Sequence, residues 1–258
     1  MDTITASSLV GPVLAPQFFG TLFNWALYGV LACQTYHYYL NFGRDKRTIQ
    51  GLVYVIFALE TAQSGLVAHD AFAILVRGWG DTAAALNPEH LWLTAPIMDG
   101  IIGTATQLFY AYRILVLSRS RVLCGTICVF SMVALAGSIA DGIQSNQGHA
   151  VVNVGSAVNG SAIAWLVGTI SCDALISAYM LIWYLRIRST LVYKTTTDIV
   201  TYVLRITVIS GCLTTITAVV LLSVQLSFSN AFYEITPGLV MAKLYSNSLL
   251  ALRMLLIC

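Results

Sequence analysis

The sequence has little charge: Asp, Glu, Lys and Arg make up 9% of its 258 residues, whereas 58% of the residues are hydrophobic. Soluble domains carry about 25% charged residues because their surfaces face water. The chain also lacks the alternation of apolar and polar residues that membrane β-strands require. Its apolar residues form long runs instead, and about 20 such residues in a helix cross the hydrocarbon core of a bilayer. We therefore predict an all-α membrane protein.

Sequence signatures of catalysis are missing as well. No glycine-rich loop precedes a lysine, as phosphate binding requires, and no serine lies in a nucleophile elbow. The histidines do not form the stacked pairs of a membrane haem site or a three-histidine zinc site. They are His37, His69, His90 and His149. We predict that the protein is not an enzyme, that it needs no cofactor or metal, and that it binds no nucleic acid.

The cysteines all fall within apolar segments or at their inner ends, so we expect no extracellular disulfide. Cys124 and Cys128 could bind a metal together, but they lack further Cys or His partners. We interpret them as small buried hydrophobic residues. The full set is Cys33, Cys124, Cys128, Cys172, Cys212 and Cys258.

Seven apolar segments follow one another, separated by short polar connectors. Each is long enough to cross the bilayer as a tilted helix. We predict a single domain, residues 1–258, that forms a seven-transmembrane-helix bundle. The predicted helices are 17–40, 49–76, 92–116, 122–143, 160–185, 199–227 and 237–257. Residues 1–16 lack the basic start of a cleavable signal peptide, so we expect the first helix to act as the targeting signal.

Basic residues are concentrated on one side of this predicted bundle. Nine Lys and Arg residues lie at the ends of the first, third and fifth segments or in the connectors after them, and Arg77 alone lies in the opposite connectors. Because basic loops stay in the cytoplasm during insertion, we predict the N-terminus outside and the C-terminus in the cytoplasm. The nine residues are Arg44, Lys46, Arg47, Arg113, Arg119, Arg121, Arg186, Arg188 and Lys194.

Several short motifs occur together in a recognisable order. They are Asn24-Trp25 with Tyr28-Gly29, His69-Asp70 with Phe72, Gln107 with Tyr110 and Arg113, Cys172-Asp173, and Lys243 with Tyr245-Ser246-Asn247-Ser248. This combination, over about residues 12–250, resembles a large family of fungal, mainly basidiomycete, integral membrane proteins catalogued as a domain of unknown function. The resemblance implies a seven-helix membrane protein and no particular activity.

The chain departs from the pattern of this family at two places. Members of the family usually continue into a polar cytoplasmic tail, whereas this chain ends at Cys258. Partner contacts carried by such a tail are therefore not expected here. Many members have an acidic residue in the sixth helix near Ile209, which is apolar in this sequence. A role that needs that carboxylate is not expected either.

Four ionisable residues stand out inside the predicted helices: Glu60, Asp99, Asp173 and Lys243. Each costs roughly 2.5–3.5 kcal/mol to insert at the centre of a membrane helix, so such residues face the bundle interior and find partners. Asp99 and Lys243 both lie ~10 Å below the outer surface, counting about 1.5 Å per residue. We predict an ion pair between them, with Asp173 as the alternative partner of Lys243.

Polar residues recur at helical spacing on single faces of four predicted helices. They are Asp99, Gly103, Thr106, Tyr110 and Arg113; Thr169, Asp173 and Ser177; Thr207, Ser210, Thr214 and Thr217; and Lys243, Ser246 and Asn247. We interpret the Ser and Thr stripes as helix contacts. For Asp99, Asp173 and Lys243 both a structural and a ligand-binding role stay open. A retinal Schiff base at Lys243 is not expected, because the residue lies too close to the outer end of its helix.

Two more features lie on the predicted outer side. His69 with Asp70 forms either a pH-sensitive cap or a hydrogen-bonded pair at the membrane interface. Asn159 begins an Asn-Gly-Ser pattern that N-glycosylation requires, although chance matches to so short a pattern are common.

The favoured function is that of a receptor-like sensor that binds a small ligand from the outer side, in a multi-pass location compatible with the plasma membrane or an endomembrane. The ligand-binding candidates are Asp99, Lys243, Asp173, Glu60 and Asn247. The alternative is a transporter or channel that uses the four ionisable residues, and a lipid-modifying enzyme ranks last. The lipid bilayer is the expected partner, and a cytoplasmic partner stays an open question.

Overall fold

The computed structural model describes residues 3–43, 45–78, 88–118, 120–147, 160–190, 194–227 and 232–255. Within these ranges the chain is helical and contains no strand. The seven α-helices are α1 (Thr3–Asn41), α2 (Arg47–Phe72), α3 (Asp99–Ser118), α4 (Arg121–Asn146), α5 (Gly160–Thr190), α6 (Lys194–Ser227) and α7 (Ile235–Leu255). The prediction of an all-α fold is thus confirmed, and the described residues form as many α-helices as the seven predicted segments.

Several helices extend beyond the apolar segments that predicted them. The helix α1 begins at Thr3 rather than at residue 17, and α5 and α6 together take up most of the connector expected at 186–198. Apolar composition marks only the part of a helix that suits hydrocarbon, whereas backbone hydrogen bonding continues into the polar interface. Four helical stretches are long and apolar enough to cross a membrane among the described residues. They are Arg47–Arg77, Arg121–Asn146, Gly160–Trp183 and Thr207–Ser227.

Two π-helical segments lie between α2 and α3. The segment Ala73–Arg77 continues α2, and the segment Leu93–Met98 leads directly into α3. The second contains Pro96, which has no backbone N–H to donate and therefore disturbs the regular hydrogen-bond pattern. Such π-turns are rare and occur frequently at functional sites.

Successive helices run antiparallel, and α7 lies at the centre of the bundle. Near the start of α7 the Asn24 amide of α1 donates to the Leu239 carbonyl, at 2.8 Å. Further along α7, Asn247 donates to the Leu27 carbonyl, at 3.1 Å, so α1 and α7 run parallel. The other face of α7 packs against α2, α3 and α6. Any group on α7 is therefore well placed to meet the buried polar residues of its neighbours.

A glycine brings the helices α4 and α5 into close contact. A Cβ atom added to Gly137 would lie 2.6 Å from the backbone nitrogen of Trp165 and 2.9 Å from the Ser161 carbonyl oxygen. Only a residue without a side chain fits between two backbones at that distance, and small residues allow such contact between membrane helices generally.

The outside of the bundle is covered by large apolar side chains. Val55, Val129 and Ile216 are 58%, 63% and 60% exposed, respectively. A water-soluble protein would bury such residues, whereas hydrocarbon solvates them. The outer surface therefore suits a lipid bilayer.

The two ends of the bundle differ in charge. We call the end at which α1, α3, α5 and α7 begin the acidic end, because it carries Asp70, Glu89, Asp141 and Glu234. We call the opposite end the basic end, because it carries Lys46, Arg47, Arg121, Arg186 and Arg253.

One acid at the basic end joins the connector after α1 to α7. The Nε atom of Arg253 donates to Asp45 at 2.8 Å, the Tyr38 hydroxyl donates to the same carboxylate at 2.8 Å, and a second guanidinium nitrogen of Arg253 completes a two-point ion pair. Burial raises the pKa of the Asp45 carboxyl, but these hydrogen bonds outweigh it and hold the pKa below its usual value.

Candidate functional site

The buried lysine of α7 forms an ion pair with the buried acid of α2. The side chains of Lys243 and Glu60 are both 0% exposed, and the Lys243 ammonium contacts the Glu60 carboxylate directly. The Ser246 hydroxyl donates to the other oxygen of that carboxylate. The ammonium also lies 5.9 Å from the centre of the Tyr28 ring of α1, a cation–π distance. Three helices therefore converge on one buried charge.

The predicted ion pair between Lys243 and Asp99 is wrong, because Gln63 lies between the two residues. Its amide oxygen accepts from Lys243 at 2.9 Å, and its amide nitrogen donates to Asp99 at 2.7 Å. The same nitrogen donates to the Thr94 carbonyl, at 2.7 Å, within the π-helical segment before α3. The depth of a residue along its helix does not tell which side of the helix it lies on. The side of α7 that carries Lys243 is turned toward α2. We call Glu60, Gln63, Asp99 and Lys243 the charge network.

The third buried acid is not part of that network, so the alternative pairing of Lys243 with Asp173 is wrong as well. The Asp173 carboxylate of α5 accepts from the Gln107 amide at 2.9 Å and from the Tyr245 hydroxyl. Its partners are therefore neutral hydrogen-bond donors on α3 and α7. We call Asp173, Gln107 and Tyr245 the acid cluster.

A small cavity separates the charge network from the acid cluster. The centre of a water molecule can occupy about 10 Å³ of it, so the cavity has room for about one water. One carboxylate oxygen of Asp99 has no hydrogen-bond partner, and Asp99 lines this cavity. Gly103 also lines the cavity. A Cβ atom added to Gly103 would lie 3.4 Å from the Tyr245 ring, so the glycine lets this ring pack closely. The other lining residues are Gly100, Thr104, Gln107, Ala134, Trp165, Thr169 and Met241.

The predicted polar face of α3 is confirmed. Asp99, Thr106, Tyr110 and Arg113 are all less than a tenth exposed and point into the bundle. Beyond the acid cluster this face continues toward the basic end. The Tyr110 hydroxyl donates to Ser248 at 3.3 Å, and Arg113 donates to the Thr207 hydroxyl of α6 at 3.3 Å.

The remaining predicted site residues lie elsewhere. Asn247 donates to carbonyl oxygens of Leu27 and Lys243, at 3.1 and 2.7 Å, and so faces α1 rather than the cavity. His69 and Asp70 lie at the acidic end, where the structure adds His90 to them at 2.7 Å from the Asp70 carboxylate. The glycosylation candidate Asn159 lies outside the described residues.

The glutamines and the tyrosine of the site were not among the predicted site residues, although Gln107 and Tyr245 belong to the motifs that carry the family resemblance. Gln63 could have been identified from its position in the sequence. It follows Glu60 by three positions, so the two side chains share one face of α2. Neutral amides and hydroxyls give a weak signal because they are common in helix interfaces.

The fold and these buried polar groups define a protein that is all-helical over its described residues, with four helical stretches long and apolar enough to cross a membrane. A family model described as a family of unknown function, DUF6534, matches residues 169–254. The matched region holds Asp173, Lys243 and Tyr245, and the predicted resemblance to a family of unknown function is confirmed for this part of the chain. Neither the search of curated proteins nor the search of solved structures found a match.

Proposed function

We propose that the protein spans the membrane seven times, with the acidic end outside, and that it acts as a receptor-like sensor for a small ligand. The excess of basic residues at the opposite end supports this orientation, because basic ends stay in the cytoplasm. The proposed ligand reaches Asp99 from the acidic end, and the charge network responds to its binding.

The observation that carries this proposal is that Asp99, which lines the cavity, has one carboxylate oxygen without a hydrogen-bond partner. A buried acceptor without a hydrogen bond costs about 1–3 kcal/mol, so a group that donates to it gains that energy on binding. The proposal treats this oxygen as a hydrogen-bond acceptor, for which the ligand supplies the donor. The proposed ligand is therefore a small molecule with an ammonium or hydroxyl group.

A ligand larger than one water has to open this closed bundle. The segment Leu93–Met98 leads directly into Asp99, and its irregular backbone around Pro96 is a place where the helix can bend. Movement there would separate the Gln63 amide from the Thr94 carbonyl. A ligand that binds the open arrangement better would shift the population toward it, which is how a sensor reports occupancy.

The test is a thermal unfolding series on the purified protein in lipid nanodiscs. The added probes are primary alkylammonium chlorides and alcohols with one to four carbons. We expect at least one of them to raise the unfolding midpoint of the wild type by several degrees in a saturable way, because a ligand at 100 times its Kd stabilises by about 2.7 kcal/mol. The Asp99→Asn variant should lose this shift.

Glu89→Gln is the matched control for that series, because Glu89 is an exposed acid at the same end of the bundle. The control should keep the full ligand-induced shift. A shift that is unchanged in Asp99→Asn would show that the probe binds elsewhere and would contradict the proposed role of this carboxylate.

A second candidate function, transport of protons or small cations, is favoured by the length of the polar path. Polar groups follow one another from the charge network through the cavity and the acid cluster to Arg113 near the basic end. Proteoliposomes with a pH-sensitive dye inside test this alternative. Proton flux that Asp173→Asn abolishes would favour transport, and the absence of flux above that of empty liposomes would leave the sensor as the better explanation.

A further inference from the structure

Two histidines and an acid meet at the acidic end, between the end of α2 and the residues before α3. The Nδ1 atoms of His69 and His90 lie 3.5 and 2.7 Å from one carboxylate oxygen of Asp70. Each of the three residues offers one potential ligand atom, and these three atoms all lie within 4.8 Å of one another. The centres of the two imidazole rings are 5.1 Å apart. Asp70 and His90 are 20 positions apart in the sequence, so spacing alone did not predict this cluster.

The acid at the centre of this cluster is buried, whereas the two imidazoles reach solvent. The side chain of Asp70 is 3% exposed, and those of His69 and His90 are 43% and 32% exposed. The second carboxylate oxygen accepts the backbone N–H of His90 at 2.9 Å, which fixes the orientation of the carboxylate. The nearby cation Arg77 lies over the Phe72 ring, 5.3 Å from its centre. A cation held by the imidazoles would therefore compensate a buried negative charge.

One of the distances already suits a tetrahedral metal ion, and a second comes close to it. Zinc bonds to imidazole nitrogen and carboxylate oxygen are about 2.0–2.2 Å long, so two ligand atoms of a tetrahedral site lie about 3.3–3.5 Å apart. The His69–Asp70 separation of 3.5 Å already meets this value. The His90–Asp70 separation of 2.7 Å is a hydrogen bond, which the ion would replace. The two atoms then have to move apart by less than one ångström, which a small rotation of the partly exposed His90 imidazole provides. Two histidines and one carboxylate also form a common zinc ligand set, with water in the fourth position.

We propose that His69, Asp70 and His90 form a binding site for a divalent transition-metal ion of the zinc type. The ion joins the end of α2 to the residues before α3 and is reached from the solution at the acidic end. This site shares no residue with the charge network, so it goes beyond the proposed sensor function and does not depend on it.

The test is isothermal titration of the wild-type protein, in nanodiscs and without a histidine tag, with zinc chloride. Cobalt chloride serves as the spectroscopic probe, because its visible absorption reports the coordination geometry. We expect one ion per chain, tetrahedral cobalt absorption, and an affinity at least ~10-fold weaker in His69→Gln and in His90→Gln. His37→Gln is the control, because His37 lies near the basic end of α1, and it should bind like the wild type.

A measurement on the wild type alone covers the case in which a variant does not fold. Diethyl pyrocarbonate modifies exposed imidazoles, and mass spectrometry locates the modified residues. Zinc should protect His69 and His90 together while His37 stays unaffected. The proposal is overturned if the wild type binds no stoichiometric ion, if both glutamine variants bind as tightly as the wild type, or if zinc leaves both histidines equally reactive.

Discussion

At the residue scale, the stability of the bundle depends on the pairing of Lys243 with Glu60. Each charge alone would be costly in a site without water, and their attraction and the Ser246 and Gln63 hydrogen bonds offset that cost. Removing one partner leaves the other charge buried without compensation, whereas removing both leaves a neutral site.

We therefore expect Lys243→Met to lower the free energy of unfolding by roughly 3–5 kcal/mol, and Glu60→Gln to do so to a similar extent. The double variant Lys243→Met/Glu60→Gln should lose clearly less unfolding free energy than the two single variants lose together. Unfolding in increasing SDS, followed by circular dichroism in mixed micelles, measures all three. Strictly additive losses would contradict a direct interaction between the two side chains.

Glu234 provides a second prediction at this scale. It lies in a short 3₁₀ turn, Phe232–Glu234, just before α7. Burial, together with the nearby charge of Asp141, raises the pKa of its carboxyl to about 7. The ordinary value for a glutamate carboxyl is 4.5. A raised pKa means that the folded state binds the proton more tightly, so this group favours folding more as the pH falls from about 7 toward 4.5.

The variant Glu234→Gln should accordingly unfold at a higher temperature than the wild type at pH 8, because glutamine resembles the neutral acid. The difference should shrink at pH 5, where the wild-type side chain is protonated in the folded protein. Thermal unfolding at the two pH values, with Glu89→Gln as the exposed control, measures the effect. An equal difference at both pH values would contradict the raised pKa.

The sequence predicted the buried charges of this site but not their partners. Glu60, Asp99, Asp173 and Lys243 could be recognised because ionisable residues are rare and costly inside membrane helices. Which of them meet depends on the order of helices around the bundle and on the rotation of each helix. Neither quantity follows from depth along a helix, which is why the pairing of Lys243 with Asp99 was wrong.

At the element scale, the helices were predictable because a long apolar segment in a bilayer has to pair its own backbone hydrogen-bonding groups, and a helix does so. Their ends and the π-helical segments were not. The start of α1 at Thr3 and the segment Ala73–Arg77 depend on backbone hydrogen bonding that hydropathy does not report. The available sequence signal for the second segment is Pro96, which lies within it.

The close contact between α4 and α5 gives a prediction at this scale. Gly137→Ala places a Cβ 2.6 Å from the Trp165 nitrogen, so one backbone has to move, at a cost of about 1–3 kcal/mol. Gly125→Ala in the same helix meets no atom within 4 Å and should be neutral or stabilising by up to about 1 kcal/mol. SDS unfolding of the two variants measures the difference, and equal stabilities would contradict the tight contact.

At the scale of the whole molecule, the charge difference between the two ends is the basis for the proposed orientation. Arg47 lies at the basic end and Glu89 at the acidic end, and both are exposed. The exposed cysteines Cys33 and Cys212 lie within helices α1 and α6, whose surfaces suit lipid, so a membrane-impermeant maleimide should react with them weakly. Labelling of the wild type therefore gives the background signal, and labelling of a cysteine introduced at either end is measured as the increase above it.

In sealed microsomes, whose outer face is cytoplasmic, we expect Arg47→Cys to react at once with the impermeant maleimide. Glu89→Cys should react only after detergent opens the vesicles, because the proposed orientation places it in the lumen. Labelling is read as a mass shift on a gel. The reverse pattern would place the acidic end in the cytoplasm, and the route by which a ligand reaches Asp99 would then start from the cytoplasm. Reaction of both variants in sealed vesicles would show that the two ends lie on the same side, which a chain of seven alternating spans does not allow.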